Sequence, residues 1–523
     1  MLLPTLRQMA AIDREAMEGL KIPVGDLMEK AGAGVAASAM EFLQKAAGKK
    51  VAVLCGKGNN GGDGLVGARL MLAQKAKVKV FLLAKRKDLK GASSANLKKY
   101  RGPLVEWDGS AKTVMHFGPD LIIDALFGTG FTGRLPEKVA ELVGLVKQQK
   151  IPVLAVDVPS GFDAEAERPM QDVFAAVRTV TFAYPKTAQV FYPGREFVGG
   201  LQLVNIGLPP QAVKENVELN LITPSEVAQW LPARNPEGHK GTFGKVFLLA
   251  GSLGMTGAAA LAAEAVLRSG AGMVFLGTAA SLCTAIASQL REVVIKPLPE
   301  IRKKLAIALR SLGEVRLYAK DADSVAVGPG LGQHYETIEL VQRFVVTVEK
   351  PLVIDADGLN AVAQEPEVLK GRKFPAVLTP HTGELGRLLK TSGEEIQADR
   401  VGAAKRGAAE LNSILLLKGA PTVIASPSGE VWVSPSGNSG MATAGAGDVL
   451  TGLLAGLLAQ GVEPLKAACA AAFLHGWAGD FAKKKLGERS MIAGDILAAL
   501  PEAFLQLRSF RLQPALGVPV RLW

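Results

Sequence analysis

Residues 49–74 read KKVAVLCGKGNNGGDGLVGARLMLAQ. An unbroken apolar run, Val51–Cys55, ends in a glycine-rich loop, and an apolar-patterned segment follows. This predicts strand, loop and helix in succession. A short run that is apolar on both sides belongs to a strand covered on both faces, as in a parallel sheet. Gly61, Gly62 and Gly64 let backbone come close to a ligand, and the helix start behind them favours an anion. The spacing is neither GxGxxG nor a Walker sequence ending in Lys-Ser/Thr, so neither generic nucleotide fingerprint applies.

The same pattern continues outward. KVKVFLLA (77–84), PDLIIDALFGTG (119–130), IPVLAVDVPSGFD (151–163) and RTVTFAYP (178–185) read as further strands, the last closing the set. Ahead of them, DLMEKAGAGVAASAMEFLQKA (26–46) places Leu27, Ala31 and Val35 on one helical face. Prolines and polar turns around residues 208–222 favour a boundary. A second alternating series starts with GKVFLLAGSLGMTGAAALAAEAVLRSGAGMVFLGT (244–278). It runs through SVAVGPGLG (324–332), PLVIDADGLN (351–360), AVLTPHTGELGRLLK (376–390) and ILLLKGAPTVIAS (414–426) to MATAGAGDVLTG (441–452). The expected organisation is two α/β domains, 1–215 and 216–510, with no assignment for FRLQPALGVPVRLW (510–523).

The bulk properties agree. A length of 523 residues suits two or three domains, and 48% hydrophobic content argues against disorder. Arg7, Asp13, Arg14 and Glu15 interrupt the N-terminal stretch, so no signal peptide is expected. The run VLTGLLAGLLAQGV falls short of the roughly 20 apolar residues that span a bilayer, and a buried helix is expected instead. Three scattered cysteines, with no CxxC pair, point away from disulfides or zinc and towards a cytoplasmic setting. The net charge of +11 lies in short basic groups without interleaved aromatics, so no nucleic-acid partner is expected. The excess charge favours anionic small molecules.

Three loops carry the chemistry of the first half: Gly56–Gly64, Asp124–Gly130 and Asp157–Gly161. Each follows an apolar strand, and loops at the carboxyl ends of parallel strands gather where ligands bind. Asn59, Asn60, Asp63, Asp124, Asp157 and Ser160 offer oxygen donors suited to a hard cation. The plainer alternative makes Asp63 a helix cap and Pro159-Ser160-Gly161 a turn.

LMEKAG, LCGKGNNGGDGLVGARLM, DALFGTG and AVDVPSG, in that order, resemble the N-terminal domain of the NAD(P)HX epimerases over about residues 5–208. That family interconverts the two epimers of hydrated NADH or NADPH. The resemblance implies that Asn59, Asn60, Gly61, Gly62 and Asp63 line the hydrate. Gly128, Thr129, Gly130, Phe131, Thr132, Gly133 and Arg134 would do so from the second loop. It also implies a potassium ion held by Asn60, Asp124 and Ser160, with Asp157 facing the hydrated ring as acid or base.

In the second half, the amides of Gly445, Ala446 and Gly447 stand at a helix start and suit an anion. Lys418 can neutralise a phosphate, and Asp448, ionised near neutrality unless buried, can accept a proton from a hydroxyl. The alternatives are a plain cap for Asp448, a solvated strand end for Lys418 and a satisfied turn histidine for His381. GSLGMTGAAALAAEAVLRSGAG, VGPGLG, DADGLN, LTPHTGE, LKG and MATAGAGDVLTG resemble the ribokinase-like superfamily, and within it the ADP-dependent NAD(P)HX dehydratases, over about 222–505. This implies phosphorylation of the ring hydroxyl of the S hydrate, followed by loss of phosphate. Asp448 would activate the hydroxyl. Lys418, Gly419, Ala420, Pro421, Thr422 and Gly447 would bind the nucleotide, and Ala258, Gly330 and His381 would contact the hydrate. The family usually shows Gly-Gly-Thr/Ser-Gly-Asp where this chain has Ala444-Gly445-Ala446-Gly447-Asp448, and the extra methyl of Ala444 is expected to narrow the loop.

Together the halves imply two three-layer αβα domains, Rossmann-like and then ribokinase-like. The function implied is repair of NADHX and NADPHX, with potassium, magnesium and ADP or ATP, in a homo-oligomer away from membranes. The rivals are a vitamin-precursor kinase and a non-catalytic binding module.

Overall fold

The computed structural model describes residues 1–44, 47–507 and 516–522. The chain forms two compact units: 1–219 together with 513–523, and 220–512. The expected domain end at residue 510 lies outside the described residues.

The first unit is built on an eight-stranded sheet. From one edge the strands run Leu104–Glu106, Lys77–Leu82, Lys50–Cys55, Leu121–Ala125, Val153–Val156, Arg178–Phe182, Gly200–Val204 and Pro519–Arg521. In chain order the first six stand 3-2-1-4-5-6, the Rossmann arrangement, with its switch point between Lys50–Cys55 and Leu121–Ala125. Alternation explains the continuous apolar runs. Val51, Val53 and Cys55 pack with Leu27, Val35 and Leu65 on one face. Ala52 and Leu54 pack with Val139 and Leu142 on the other. Leu27, Ala31 and Val35 are all buried, as their spacing predicts. One expectation is corrected: RTVTFAYP does not close the sheet. Gly200–Val204 follows it, and Pro519–Arg521, from the unassigned tail, adds an antiparallel edge strand to that one.

The second unit carries a ten-stranded sheet. Its parallel heart runs Met273–Ala279, Lys245–Leu249, Ser324–Val327, Leu352–Ile354, Val377–Leu378 and Ile414–Leu417, with a switch point between Lys245–Leu249 and Ser324–Val327. Beyond Ile414–Leu417, Thr422–Ala425 and Val431–Ser434 turn antiparallel, because a short loop cannot make the long crossover that parallel pairing needs. Helices Thr256–Arg268, Ala446–Ala459 and Pro464–Leu486 supply most of one core face, and Leu312–Lys320 and Arg400–Glu410 lie among those on the other.

The greasy run VLTGLLAGLLA is the buried helix Ala446–Ala459, apolar all round because it is surrounded. Two glycines let it approach helix Thr256–Arg268. A methyl group at Gly452 would lie 2.0 Å from the Ala262 carbonyl oxygen, and one at Gly456 would lie 1.9 Å from Ser269 Oγ. Among the described residues no helix is long and apolar enough to cross a membrane.

Candidate functional site

At the first switch point, the loops after Lys50–Cys55 and Leu121–Ala125 are tied together. The Gly56 amide donates to the Ala125 carbonyl at 3.0 Å, and Asn60 Nδ2 donates to the Phe127 carbonyl at 3.0 Å. A methyl at Gly56 would sit 2.0 Å from the Leu126 carbonyl oxygen, so this crossing needs glycine.

Asp124, next to last in its strand, is fully buried. Its Oδ2 accepts the Ser160 amide at 2.7 Å, and its Oδ1 accepts the Ser160 hydroxyl at 2.6 Å and the Leu126 amide at 3.3 Å. Ser160 Oγ in turn accepts the Phe127 amide at 3.1 Å. Burial pushes the Asp124 carboxyl up to about 6, against the pull of the Ser160 and Leu126 hydrogen bonds. Asn60, Asp124 and Ser160 therefore meet around Phe127. A buried carboxylate with no cationic partner among the described residues, set among amide, hydroxyl and carbonyl oxygens, is a donor set that fits a hard monovalent cation.

Beside it lies a cavity of about 500 Å³. Asn59, Asn60, Asp63, Gly128, Thr129, Gly130, Phe131 and Asp157 line it. Gly61 and Gly62 lie buried, a methyl at Gly62 meeting Met28 at 2.5 Å, while Thr132, Gly133 and Arg134 are exposed beyond the lining. Asp63 is not a cap: Gly58 caps the helix, and Asp63 sits buried in its second turn.

Asp157 holds φ at +65°, a left-handed conformation that costs a non-glycine residue energy. Its partners hold it there. Lys186 Nζ donates to Asp157 Oδ1, Thr181 Oγ1 donates to the same oxygen at 3.1 Å, and Gln189 Nε2 donates to the Asp157 carbonyl at 2.6 Å. Lys186 also donates to Thr181 Oγ1 at 2.7 Å and is fully buried. Lys186, Thr181 and Gln189 have no sequence signal as site residues. A fully buried lysine was the one clue available, and burial is not visible in AYPKTAQ.

The second unit gathers its groups at the strand ends around the start of helix Ala446–Ala459. Gly445, at φ +90°, caps that helix. Lys418 Nζ pairs with Asp355 Oδ1 at 2.8 Å and lies 3.7 Å from Glu384 Oε2. Thr451 Oγ1 donates to Asp355 Oδ2 at 2.6 Å. A methyl at Gly447 would be 3.5 Å from Lys418 Nζ and 3.7 Å from Asp355 Oδ2, so the pair sits against the helix start. The Lys418 amine is thus already engaged by two carboxylates, where the sequence suggested a free point charge. Burial works against the charge on Asp355, but Lys418 and Thr451 outweigh it and hold the carboxyl below its usual range. For Asp448, burial, with help from Asp355 and Asp357 and against Lys418, raises the carboxyl to about 7. No hydrogen bond to its carboxylate is found among the described residues.

Ala258 and Gly330 meet: a methyl at Gly330 would lie 3.1 Å from Ala258 Cβ. His381 caps helix Thr382–Leu389, its Nδ1 accepting the Gly383 amide at 3.0 Å and the Glu384 amide at 3.3 Å. It lines a wide concavity with Thr382 and Gly393, and Asp448 is not part of that lining. Arg400 clamps the loop Gly419–Thr422 from beneath, donating to the carbonyls of Leu417 (3.2 Å), Lys418 (3.2 Å) and Pro421 (3.1 Å). The sequence placed Glu384 beside His381 in PHTGE, and DADGLN and MATAGAGDVLTG contain Asp355 and Thr451 without singling them out. Arg400 carries no sequence signal as a site residue. Ala444 is exposed, and φ is positive at the next residue, Gly445, rather than at Ala444.

Two αβα units, each with a polar cluster at the carboxyl ends of its parallel strands and an acid beside it, define a two-domain α/β enzyme. The family described as YjeF-related protein N-terminus matches residues 24–188, and the family described as NAD(P)H-hydrate dehydratase matches 246–502. The bifunctional NAD(P)H-hydrate repair enzyme Nnr of Moorella thermoacetica is 42% identical over 510 residues, covering 96% of each chain. That of Escherichia coli is 34% identical over 491 residues, covering 93% of this chain and 91% of its own. A solved ADP/ATP-dependent NAD(P)H-hydrate dehydratase from Bacillus subtilis, co-crystallised with ATP and magnesium, is 32% identical. It covers 55% of this chain and 98% of its own, with a TM-score of 0.48. The chain belongs to the family of bifunctional NAD(P)H-hydrate repair enzymes.

Proposed function

We propose that the first domain, assigned to 1–215, interconverts the R and S epimers of NADHX and NADPHX, and that the second, 216–510, dehydrates the S epimer with release of AMP and phosphate. Retention of both halves over 96% of a bifunctional relative carries this reading. In the second site Asp448 takes the proton of the ring hydroxyl. Its freedom from hydrogen bonds and its carboxyl near 7 suit a base that must release what it accepts. The amides of Gly445, Ala446 and Gly447 hold the phosphoryl oxygens, and Lys418 with Asp355 fixes the electrostatics behind them. Gly419, Ala420, Pro421 and Thr422 form the nucleotide loop, and Ala258, Gly330 and His381 orient the hydrate. ADP, or ATP, with magnesium supplies the phosphoryl group and offsets its charge.

In the first site Asn60, Asp124 and Ser160 hold potassium, which when bound compensates the buried carboxylate. Asn59 through Asp63 and Gly128 through Arg134 enclose the hydrate, and Asp157 faces its ring. The protein works in the cytoplasm as a homo-oligomer.

The test supplies purified protein with each epimer separately, magnesium, and ADP or ATP, and follows reduced-nicotinamide absorbance. Recovery from both epimers, with AMP and phosphate formed when ADP is used, is expected. A stable phosphorylated product instead would make the second unit a small-molecule kinase. Recovery from the S epimer alone would leave the first unit a binding module.

A further inference from the structure

The first cavity has a third acid, one that belongs to none of the glycine loops. Helix Leu6–Arg14 is pinned beside Lys186. Its Leu6 and Arg7 amides donate to Glu167 at 2.9 and 3.2 Å, and Thr187 donates to the Pro4 carbonyl at 2.9 Å and to Glu167 Oε2 at 3.3 Å. Met9, Ile12 and Ala16 bury one face of this segment against Ala183 and Tyr184. That packing sets Asp13, one turn after Met9, in the wall of the cavity that Asp63, Asp157 and Lys186 also line. Three carboxyl groups thus share one lysine, and Lys186 is spent on Asp157. Like charges crowded in a desolvated site disfavour one another's ionisation, and Asp13 and Asp63 are the two that lack the lysine's bond.

Resting on the epimerase reading of this unit, we propose that Asp13 is the general acid of epimerisation and Asp157 its base, acting together on a ring that opens and recloses. Water adds to an enamine with its oxygen on the carbon bonded to nitrogen, so the hydrated ring is a carbinolamine. Asp157 accepts the hydroxyl proton. The carbon–nitrogen bond breaks as the carbon–oxygen double bond forms, its electron pair goes to nitrogen, and Asp13 gives that nitrogen its proton. The aldehyde turns its other face. Nitrogen then attacks it, returning a proton to Asp13, while the oxygen takes one back from Asp157. No oxidant or co-reactant is consumed. Burial, reinforced by Asp157 and opposed by Lys186, raises Asp13 to about 7, so it can give and regain a proton near neutrality. Asp63 is more deeply buried and is also raised, by burial first and then by Asp157 and Asp13, and that depth suits a wall of the cavity better than an acid in turnover.

The experiment uses the full chain with the R epimer, ADP and magnesium, so that reduced nicotinamide forms only after epimerisation. For Asp13→Asn the R-dependent kcat is expected to fall by about 100-fold or more with KM little changed. Asp13→Glu should recover part of it, and turnover of the S epimer should not change. Glu18→Gln, exposed on the adjoining turn, is the control and should match wild type. Hydrogen-exchange protection of helix Asn59–Ala73 reports whether the variant unit is folded. In wild type, a hydroxyl carrying heavy oxygen should keep its label through epimerisation in ordinary water. A folded Asp13→Asn with wild-type kcat, a loss carried by Asp63→Asn alone, or solvent oxygen gained at every turnover would each overturn the assignment. If wild type does not use the R epimer at all, the epimerase reading falls and takes this assignment with it.

Discussion

The two sites place a lysine beside their key acids in opposite ways. In the first unit Lys186 bonds Asp157 directly, and both side chains are buried. In the second, Lys418 is intercepted by Asp355, and Asp448 is left without a partner one step away. A direct ion pair orients a carboxylate. An intercepted one leaves the neighbouring carboxyl raised to about 7 and, among the described residues, without a hydrogen bond. The first arrangement suits a base held in one fixed orientation. The second suits an acid that must load and unload a proton once per phosphoryl transfer.

The largest expected effect removes the unpaired acid. Asp448→Asn should cut nucleotide-dependent dehydration of the S epimer by about 10²- to 10⁴-fold. Epimerisation, followed by chromatography of the two epimers, should continue. An intact Asp448→Asn protein with full dehydration would end the base assignment.

Next in size is the interception itself. Lys418→Met strands the charge of Asp355, which is 2% exposed, and losing one partner of a buried pair costs about 3–5 kcal/mol. Denaturant unfolding of the second unit measures it. Asp355→Asn sharpens the same comparison through pH. The base works deprotonated, so dehydration should fall as pH drops through about 7. The Asp355 charge is one cause of that raised value, so its removal should move the profile to lower pH. A profile that stays in place would mean that burial alone sets Asp448.

A smaller effect is expected from the buried carboxylate without a cation. Potassium, compared with a bulky organic cation at equal ionic strength, should raise the unfolding midpoint of the first unit. A gain of about 1–3 kcal/mol corresponds to saturation of roughly ten to a hundred times the dissociation constant. Asp124→Asn should abolish the difference.

How far these contrasts were legible in sequence depends on what each residue announces. Strand, glycine loop and helix were legible because period and turn chemistry are local. Asp157 and Asp448 stood out because one begins and the other ends a loop that carries glycine. Asp13, Lys186, Asp355 and Thr451 did not, because their roles come from strands and helices that meet only in the fold. The lysine lying nearest Asp448 was visible, but its prior engagement by Asp355, 63 residues earlier in the chain, was not. The edge strand Pro519–Arg521 was missed for the same reason, since it finds its partner, Gly200–Val204, some 300 residues away.

The smallest expected effect separates sequence departure from structural consequence. Ala444 is where this chain leaves the family's usual glycine, yet its side chain is exposed, and φ is positive at Gly445 rather than there. Ala444→Gly should therefore leave the dehydration rate unchanged and lower stability by no more than about 1 kcal/mol, through the looser unfolded chain. Gly445→Ala is the opposite case. It forces a Cβ into the left-handed region, 2.6 Å from Leu261 Cδ1 and 3.0 Å from Ala493 Cβ. Both the cap and the direction of the amides behind it depend on that one backbone angle. If Ala444→Gly instead speeds the reaction while Gly445→Ala is tolerated, the anion is held by some other turn of the loop than the start of helix Ala446–Ala459.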